Sequence, residues 1–407
     1  MTSRPRALRR IVATTDVHSS FDHALPMLTH LHAVRPDTLV VDCGDFFEGS
    51  GYYRLGRGGI ERAALVGLYD VIAPGNHGWN HHFEPAIHRM TVCANVYDTA
   101  TGRPVFRRLH TVRIGGRRVA ITAVIGRQAF RSIPASQRAG QHVVDPERAL
   151  RDVMLTHHHE ADSWVVLSHS GFDHDLQLAA ACPFVDVIFA GHCHSDQYGP
   201  SLVGDALVLK GPELAVGYAL TELTASGWAA RTGRFPSVSA SSLPPLLGRL
   251  HEQVEDLKDR MNVPMGAVAE PYRGQVLDRR LALRNLTARL HSGLGAEAVI
   301  LNETALRPTR LGTALTFGDL LAIEPFDNQL VHAKIPTALR DNPTALLHHL
   351  IEGAGPLITA PNPLPAHLPT VLTTDYLAEN LLDGRTHQAG IALRQAIHST
   401  LTQGTRQ

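Results

Sequence analysis

The first 235 residues alternate short, β-branched apolar runs with stretches whose apolar residues recur every three or four positions. Ile11–Thr15, Thr38–Cys43, Val71–Pro74, Trp164–Ser168 and Val185–Ala190 read as buried strands, since unbroken apolar runs of this length suit strands covered on both faces. Phe21–Val34, ending before Arg35-Pro36, and Ile60–Tyr69 carry helical spacing. Strand–helix alternation implies a largely parallel inner sheet with helices packed outside. Val119–Ile125 and Ala206–Lys210 predict a second sheet against the first, and Gly115-Gly116 predicts a hairpin turn.

The pattern changes after residue 236. Ser237–Pro245 is rich in Ser and Pro and reads as a boundary. Leu246–Met261 then sets Leu246, Leu247, Leu250, Val254, Leu257 and Met261 at helical spacing, as in a linker helix. From about residue 265 a second unit is predicted, with helices over Leu281–Leu290 and Gly318–Ile323 and strands over Ala298–Leu301 and Thr370–Thr373. The expected division is therefore 1–236, a linker at 237–264, and 265–407.

Each of the five first-half strands delivers Asp, Asn or His just past its carboxyl end: Asp16-Val17-His18, Gly44-Asp45, Gly75-Asn76-His77, His169, and Gly191-His192-Cys193-His194. That edge is where α/β sheets bind ligands. His192 and His194 alone would pass as solvated loop histidines. Five strands discharging such residues onto one edge instead suit divalent cations held by imidazole and carboxylate, a donor set that fits Zn, Mn or Fe without choosing among them.

Composition narrows the classes. With 38 basic and 38 acidic residues the formal charge is zero, which gives no electrostatic case for nucleic acid or an anionic membrane. No apolar run reaches the roughly 18 residues of a membrane span. Met1–Arg10 is basic, but the run after it is too short for a signal peptide and leads straight into Asp16, so the chain reads as cytoplasmic. Cys43, Cys93, Cys182 and Cys193 form neither a zinc pattern nor a compact disulfide framework and read as reduced, with Cys193 a small packing residue. His81, His82, His157, His158 and His159 read as a solvated surface. Oligomeric state is left open.

Taken together, Asp16-x-His18, Gly44-Asp45-x-x-x-Gly49, Gly75-Asn76-His77, His169 and Gly191-His192-x-His194 resemble the complete motif set of the calcineurin-like metallophosphoesterases. The resemblance implies an α/β chain whose first domain is a four-layer αββα sandwich. It also implies two divalent metal ions, one held by Asp16, His18 and His194, the other by Asn76, His169 and His192, with Asp45 bridging. Such a pair, about 3.5–4 Å apart, neutralises an anionic ester and activates a shared water. His77, next to Asn76, is placed to stabilise the transition state or protonate the leaving oxygen. Relatives usually carry Asp three residues after this histidine, whereas this chain has Asn80. Asn80 can still orient His77 through its amide oxygen, or His77 can borrow a carboxylate such as Glu84.

In the second half, Ala296–Asn302, Arg307, Phe317-Gly318-Asp319-Leu320, Glu324-Pro325-Phe326-Asp327-Asn328, Thr373–Ala378 and Asp383-Gly384 resemble the C-terminal domain of 5′-nucleotidases. The resemblance implies a smaller α/β substrate domain in which Phe326 and Tyr376 sandwich a base, while Asn302, Arg307, Asn328 and Asp383 contact nucleoside or phosphate. Without it, core packing would be the plainer reading of both rings. Two departures stand out: Glu303-Thr304-Ala305-Leu306 replaces a glycine-rich run and should crowd the pocket, and Glu379-Asn380-Leu381-Leu382 replaces the glycines before the late Asp. The expected activity is hydrolysis of a nucleoside 5′-monophosphate, a small-molecule substrate, in a dedicated biosynthetic or salvage step. The alternatives are a phosphodiesterase or nucleotide-diphosphate hydrolase on the same centre, and a nucleotide-binding protein that has lost turnover.

Overall fold

The apolar runs of the first half form two sheets that face one another. In the five-stranded sheet, Arg10–Thr14, Thr38–Asp42 and Val71–Ile72 run parallel, with Gly217–Thr224 and Gly227–Arg234 added antiparallel on the other side of Arg10–Thr14. The six-stranded sheet has Arg117–Ile125, Ser163–His169, Val187–Ala190 and Ala206–Leu209 in parallel, with antiparallel strands His110–Ile114 and Ser201–Val203 at its edges. This computed structural model describes residues 6–22, 24–238 and 243–403.

Strand periodicity decides which residue enters which layer. Ile121, Ala123, Val165, Leu167, Val187 and Phe189 pack between the sheets against Ile11, Ala13, Leu39 and Val41. Their neighbours Ala120, Val124, Val166 and Ile188 turn the other way, onto Leu150, Val153 and Leu178 of the helices Pro146–His157 and Phe172–Ala181. Each fully buried Leu, Ile, Val or Phe contributes about 1.5–3 kcal/mol. With both faces covered, the strands need no polar alternation, which is why they read as unbroken apolar runs. Gly115 and Gly116, at φ 57° and 87°, make the two-residue hairpin that pairs Ile114 with Arg117.

The contacts divide the chain into Met1–Asp256 and Leu257–Gln407. The division falls inside the helix Pro245–Met261, the one read as a linker. Residues 239–242 of the Ser/Pro-rich boundary lie outside the described residues. In the second unit a five-stranded sheet runs in the order Leu357–Ala360, Val299–Asn302, Thr370–Thr374, Gln329–Lys334, Arg385–Ala392. One face packs Leu301, Leu330 and Leu372 against Leu283, Leu286 and Leu290 of helix Arg279–Leu294. The other packs Ile300, Val331 and Val371 against Leu346 and Leu350 of helix Pro343–Ala354. No helix among the described residues is long and apolar enough to cross a membrane.

Candidate active site

All five strand ends of the first unit deliver their polar residues to one place, and the backbone there is unusual. Asp16, His18, Asp45 and His192 take φ of 48°, 50°, 56° and 76°. A non-glycine residue in this left-handed region costs on the order of 1–3 kcal/mol and persists only where the surroundings over-determine it. Here four of the seven expected ligands share that conformation. Gly75 is a different case: a Cβ there would land on the Asp45 carboxylate, so only glycine lets the third strand's loop pass so close.

The donor atoms converge in two groups. Ligand atoms of Asp16, His18 and His194 lie within 4.8 Å of one another, as do those of Asp45, His169 and His192. Asn76 joins the second group, its Oδ1 being 3.2 Å from His169 Nε2. Asp45 Oδ2 is 3.3 Å from His169 Nε2 and 3.7 Å from His18 Nε2, so this carboxylate stands between the groups. His169 Nδ1 lies 2.8 Å from the carbonyl of Cys43, an acceptor, and must donate to it. In the neutral ring Nε2 is then a lone pair aimed at the oxygens of Asp45 and Asn76. His18 Nε2 and His194 Nε2 likewise face each other at 3.2 Å, with Asp16 Oδ1 3.6 Å from His194. Imidazole nitrogens and carboxylate oxygens that converge this closely must share either protons or a cation, so the donor set fits bound divalent cations.

Protonation follows the same logic. Burial would depress His169, but the carboxylates of Asp45 and Asp16 and the Cys43 carbonyl outweigh it and push its pKa up to about 9. Burial would raise Asp45, yet His169, His77 and His18 hold it well below the usual carboxylate range. Burial lowers His18 and His192 to about 4, which keeps both neutral and ligand-competent at pH 7. The loop bearing His192 and His194 is pinned from below: Lys210, fully buried, donates to the carbonyls of Cys193 and Ser195 at 2.6 Å each and pairs with Glu213. Cys193 turns its sulfur to the Phe172 N–H at 3.1 Å.

His77 reaches the same place, with a ring nitrogen within 4.8 Å of the donors of His18 and Asp45. Its backbone N–H donates to Asp45 Oδ1 at 2.8 Å. The group facing its Nδ1, at 3.3 Å, is Glu48. Asn80 is exposed, and no hydrogen bond joins it to His77 among the described residues, so the orienting contact expected of it is not made. Glu84 is occupied by His81 at 2.6 Å and Arg62 at 3.2 Å. Two further expectations need correction. His82 is buried against Trp79 and Phe106, donates to or accepts from Thr91 Oγ1, and has its pKa lowered to about 3 by burial; His81 stacks on Phe47 at 4.2 Å. Both ride on the single turn Trp79–Phe83, which the insertion of Trp79 into the core draws inward. His158 and His159 are exposed.

In the second unit a cavity of about 460 Å³ is lined by Asn302, Arg307, Phe326, Asn328 and Tyr376, five of the six residues expected to hold substrate. The Arg307 guanidinium lies 5.3 Å from the Phe326 ring centre. Asn302 gives its Nδ2 to Thr304 Oγ1 at 2.7 Å, leaving a buried Oδ1 with no partner. An acceptor left so costs about 1–3 kcal/mol, which a ligand N–H or O–H would recover. Asp383 is the sixth residue and does not line the cavity: it is exposed in the turn before Arg385–Ala392, its N–H donating to the Lys334 carbonyl at 3.1 Å. The run expected to crowd the pocket does so only in part. Thr304, Ala305 and Leu306 form its wall, while Glu303 turns to Arg279 and Arg280 at 3.1 and 2.8 Å. Arg279, which also lines the cavity, had no spacing signal to mark it.

Residues 9–196 match the calcineurin-like phosphoesterase family, and this part of the chain is a calcineurin-like metallophosphoesterase domain. An apyrase of Tabanus yao is 30% identical over 176 residues, which are 39% of this chain and 30% of the apyrase. The aligned stretch is thus under a third of that relative's length. Over nearly the whole chain the fold matches solved structures: a 5′-nucleotidase of Candida albicans (TM-score 0.70, 14% identity, 99% of each chain) and the sulfate thiohydrolase SoxB of Thermus thermophilus (TM-score 0.70, 16% identity, 99% of this chain and 96% of that one). The chain therefore has the two-domain 5′-nucleotidase fold.

Proposed function

We propose that the protein hydrolyses a nucleoside 5′-monophosphate, or a close analogue, to nucleoside and inorganic phosphate. The observation that carries this reading is one chain holding both a two-group metal-type centre and a separate cavity flanked by two exposed rings, Phe326 and Tyr376. Two divalent cations, when bound, would supply charge neutralisation of the ester and activation of a water. Asp16, His18 and His194 would hold one, and Asn76, His169 and His192 the other, with Asp45 shared.

The chain's own residues do the rest. The water oxygen bonds to phosphorus as the bond from phosphorus to the nucleoside oxygen breaks, and that oxygen takes a proton. His77, with Nδ1 turned to Glu48, has Nε2 left to donate it, and the proton lost by the water restores the balance. Phe326 and Tyr376 take the base between their faces, worth about 1–3 kcal/mol for a stacked base.

The test is phosphate release by the full chain with Mn²⁺ or Zn²⁺, over the four ribonucleoside 5′-monophosphates, 2′,3′-cyclic AMP, a UDP-sugar and p-nitrophenyl phosphate. At least one 5′-monophosphate should exceed p-nitrophenyl phosphate in kcat/KM by about tenfold or more, the lower part of the stacking range. Preference for the cyclic ester or the UDP-sugar would contradict the monoester reading, and tight nucleotide binding without release would contradict turnover.

A further inference from the structure

We propose that Glu48 is the positioning residue for His77: it accepts from Nδ1 and fixes the ring so that Nε2 is presented to the leaving oxygen. This rests on the phosphomonoesterase reading above. The carboxylate and the ring meet at 3.3 Å, each side chain only about a third exposed (30% and 32%). Glu48 is held in left-handed backbone, φ 66°, on the loop that begins at Asp45. That conformation is costly for a glutamate and serves to aim its side chain across the loop.

Other carboxylates near the ring are engaged. Glu84 is taken by His81 and Arg62. Asp45 receives the backbone N–H of His77 on one oxygen and faces His169 and His18 with the other. Asn80 has no charge to offer and is exposed. A ring on a loop, with no Nδ1 partner, would sample several orientations. Glu48, on the loop after Asp45, removes that freedom by meeting Nδ1 at 3.3 Å.

The experiment compares wild type, Glu48→Gln and Glu48→Asp on AMP and on p-nitrophenyl phosphate, whose leaving group departs without needing a proton. Glu48→Gln should lower kcat on AMP by about a hundredfold, in line with the loss of positioned acid catalysis, with KM within about twofold and metal content unchanged. The loss on p-nitrophenyl phosphate should be clearly smaller, and Glu48→Asp should recover part of the AMP rate. An equal loss on both esters, or no loss, would overturn the proposal. A second readout does not depend on turnover: in the metal-free protein the Nδ1-bound proton of His77 should resonate far downfield and move upfield in Glu48→Gln. An unmoved resonance also overturns it. If wild type releases phosphate from neither ester, the functional reading has failed, and the spectrum still decides whether Glu48 holds the ring.

Discussion

Asp16, Asp45 and His169 are almost wholly buried, whereas Phe326 and Tyr376 leave 42% and 45% of their surface exposed. The first unit thus gathers charged and polar donors where water cannot screen a misplaced one. The second offers flat apolar faces that any base could lie against. A buried charge without a partner is expensive, so each donor of the first site must be exact in position and kind. Stacking tolerates displacement and a change of base. One site is therefore spelled by short fixed motifs with glycines where backbones touch, and the other by two rings far apart in sequence.

The largest expected effect comes from removing the carboxylate that both donor groups of the first site share. Asp45→Ala should cut phosphate release on the order of a thousandfold, the scale seen when a charge-stabilising group is lost, and should lower bound metal well below two per chain. A variant that keeps both would show that the first site tolerates loss as the second does.

A smaller and different effect is expected in the second unit. Tyr376→Ala should raise KM for the preferred nucleotide about 5- to 150-fold, the equivalent of about 1–3 kcal/mol of stacking, with kcat and metal content unchanged. A fall in kcat at constant KM would mean that Tyr376 does not act by stacking.

The smallest effect concerns stability. Burial pushes Asp175 up to about 8, although Ser168 Oγ donates to it and His169 lies nearby. In the unfolded chain this carboxyl loses its proton near pH 4. Between about pH 4 and 8 the folded state thus keeps a proton that the unfolded state gives up, and stability falls as pH rises through that window. Asp175→Asn should flatten this slope, raising Tm at pH 8 by about 2–4 °C for each kcal/mol recovered and changing it little at pH 5. Thermal melts across this range decide it, and an unchanged slope would mean that the buried acid is not the source.

How much of this could be read from the chain depends on the same contrast. The donors of the first unit were legible because each follows a strand whose apolar run marks its end, and motif order fixes the rest. Glu48 was not legible, because one glutamate among the variable positions of Gly44-Asp45-x-x-x-Gly49 carries no periodicity. The uncharged Asn80 left two readings, its own amide oxygen or a borrowed carboxylate such as Glu84, and the contact at 3.3 Å falls to Glu48 because Glu84 is engaged with His81 and Arg62. His82 was missed because polar neighbours suggest exposure, while the turn's direction is set by Trp79 sinking into the core. In the second unit the rings were legible by motif, whereas Arg279 and Asp383 depend on how a helix start and a turn lie against the sheet.

The most direct test of the central claim, a two-cation centre for phosphomonoester hydrolysis, is a crystal structure of the Mn²⁺-loaded chain with anomalous scattering recorded for the metal. The account predicts two peaks about 3.5–4 Å apart, one among Asp16, His18 and His194, the other among Asn76, His169 and His192, with Asp45 touching both. A single peak, or none within reach of Asp45 in protein that still releases phosphate from a nucleotide, would contradict it.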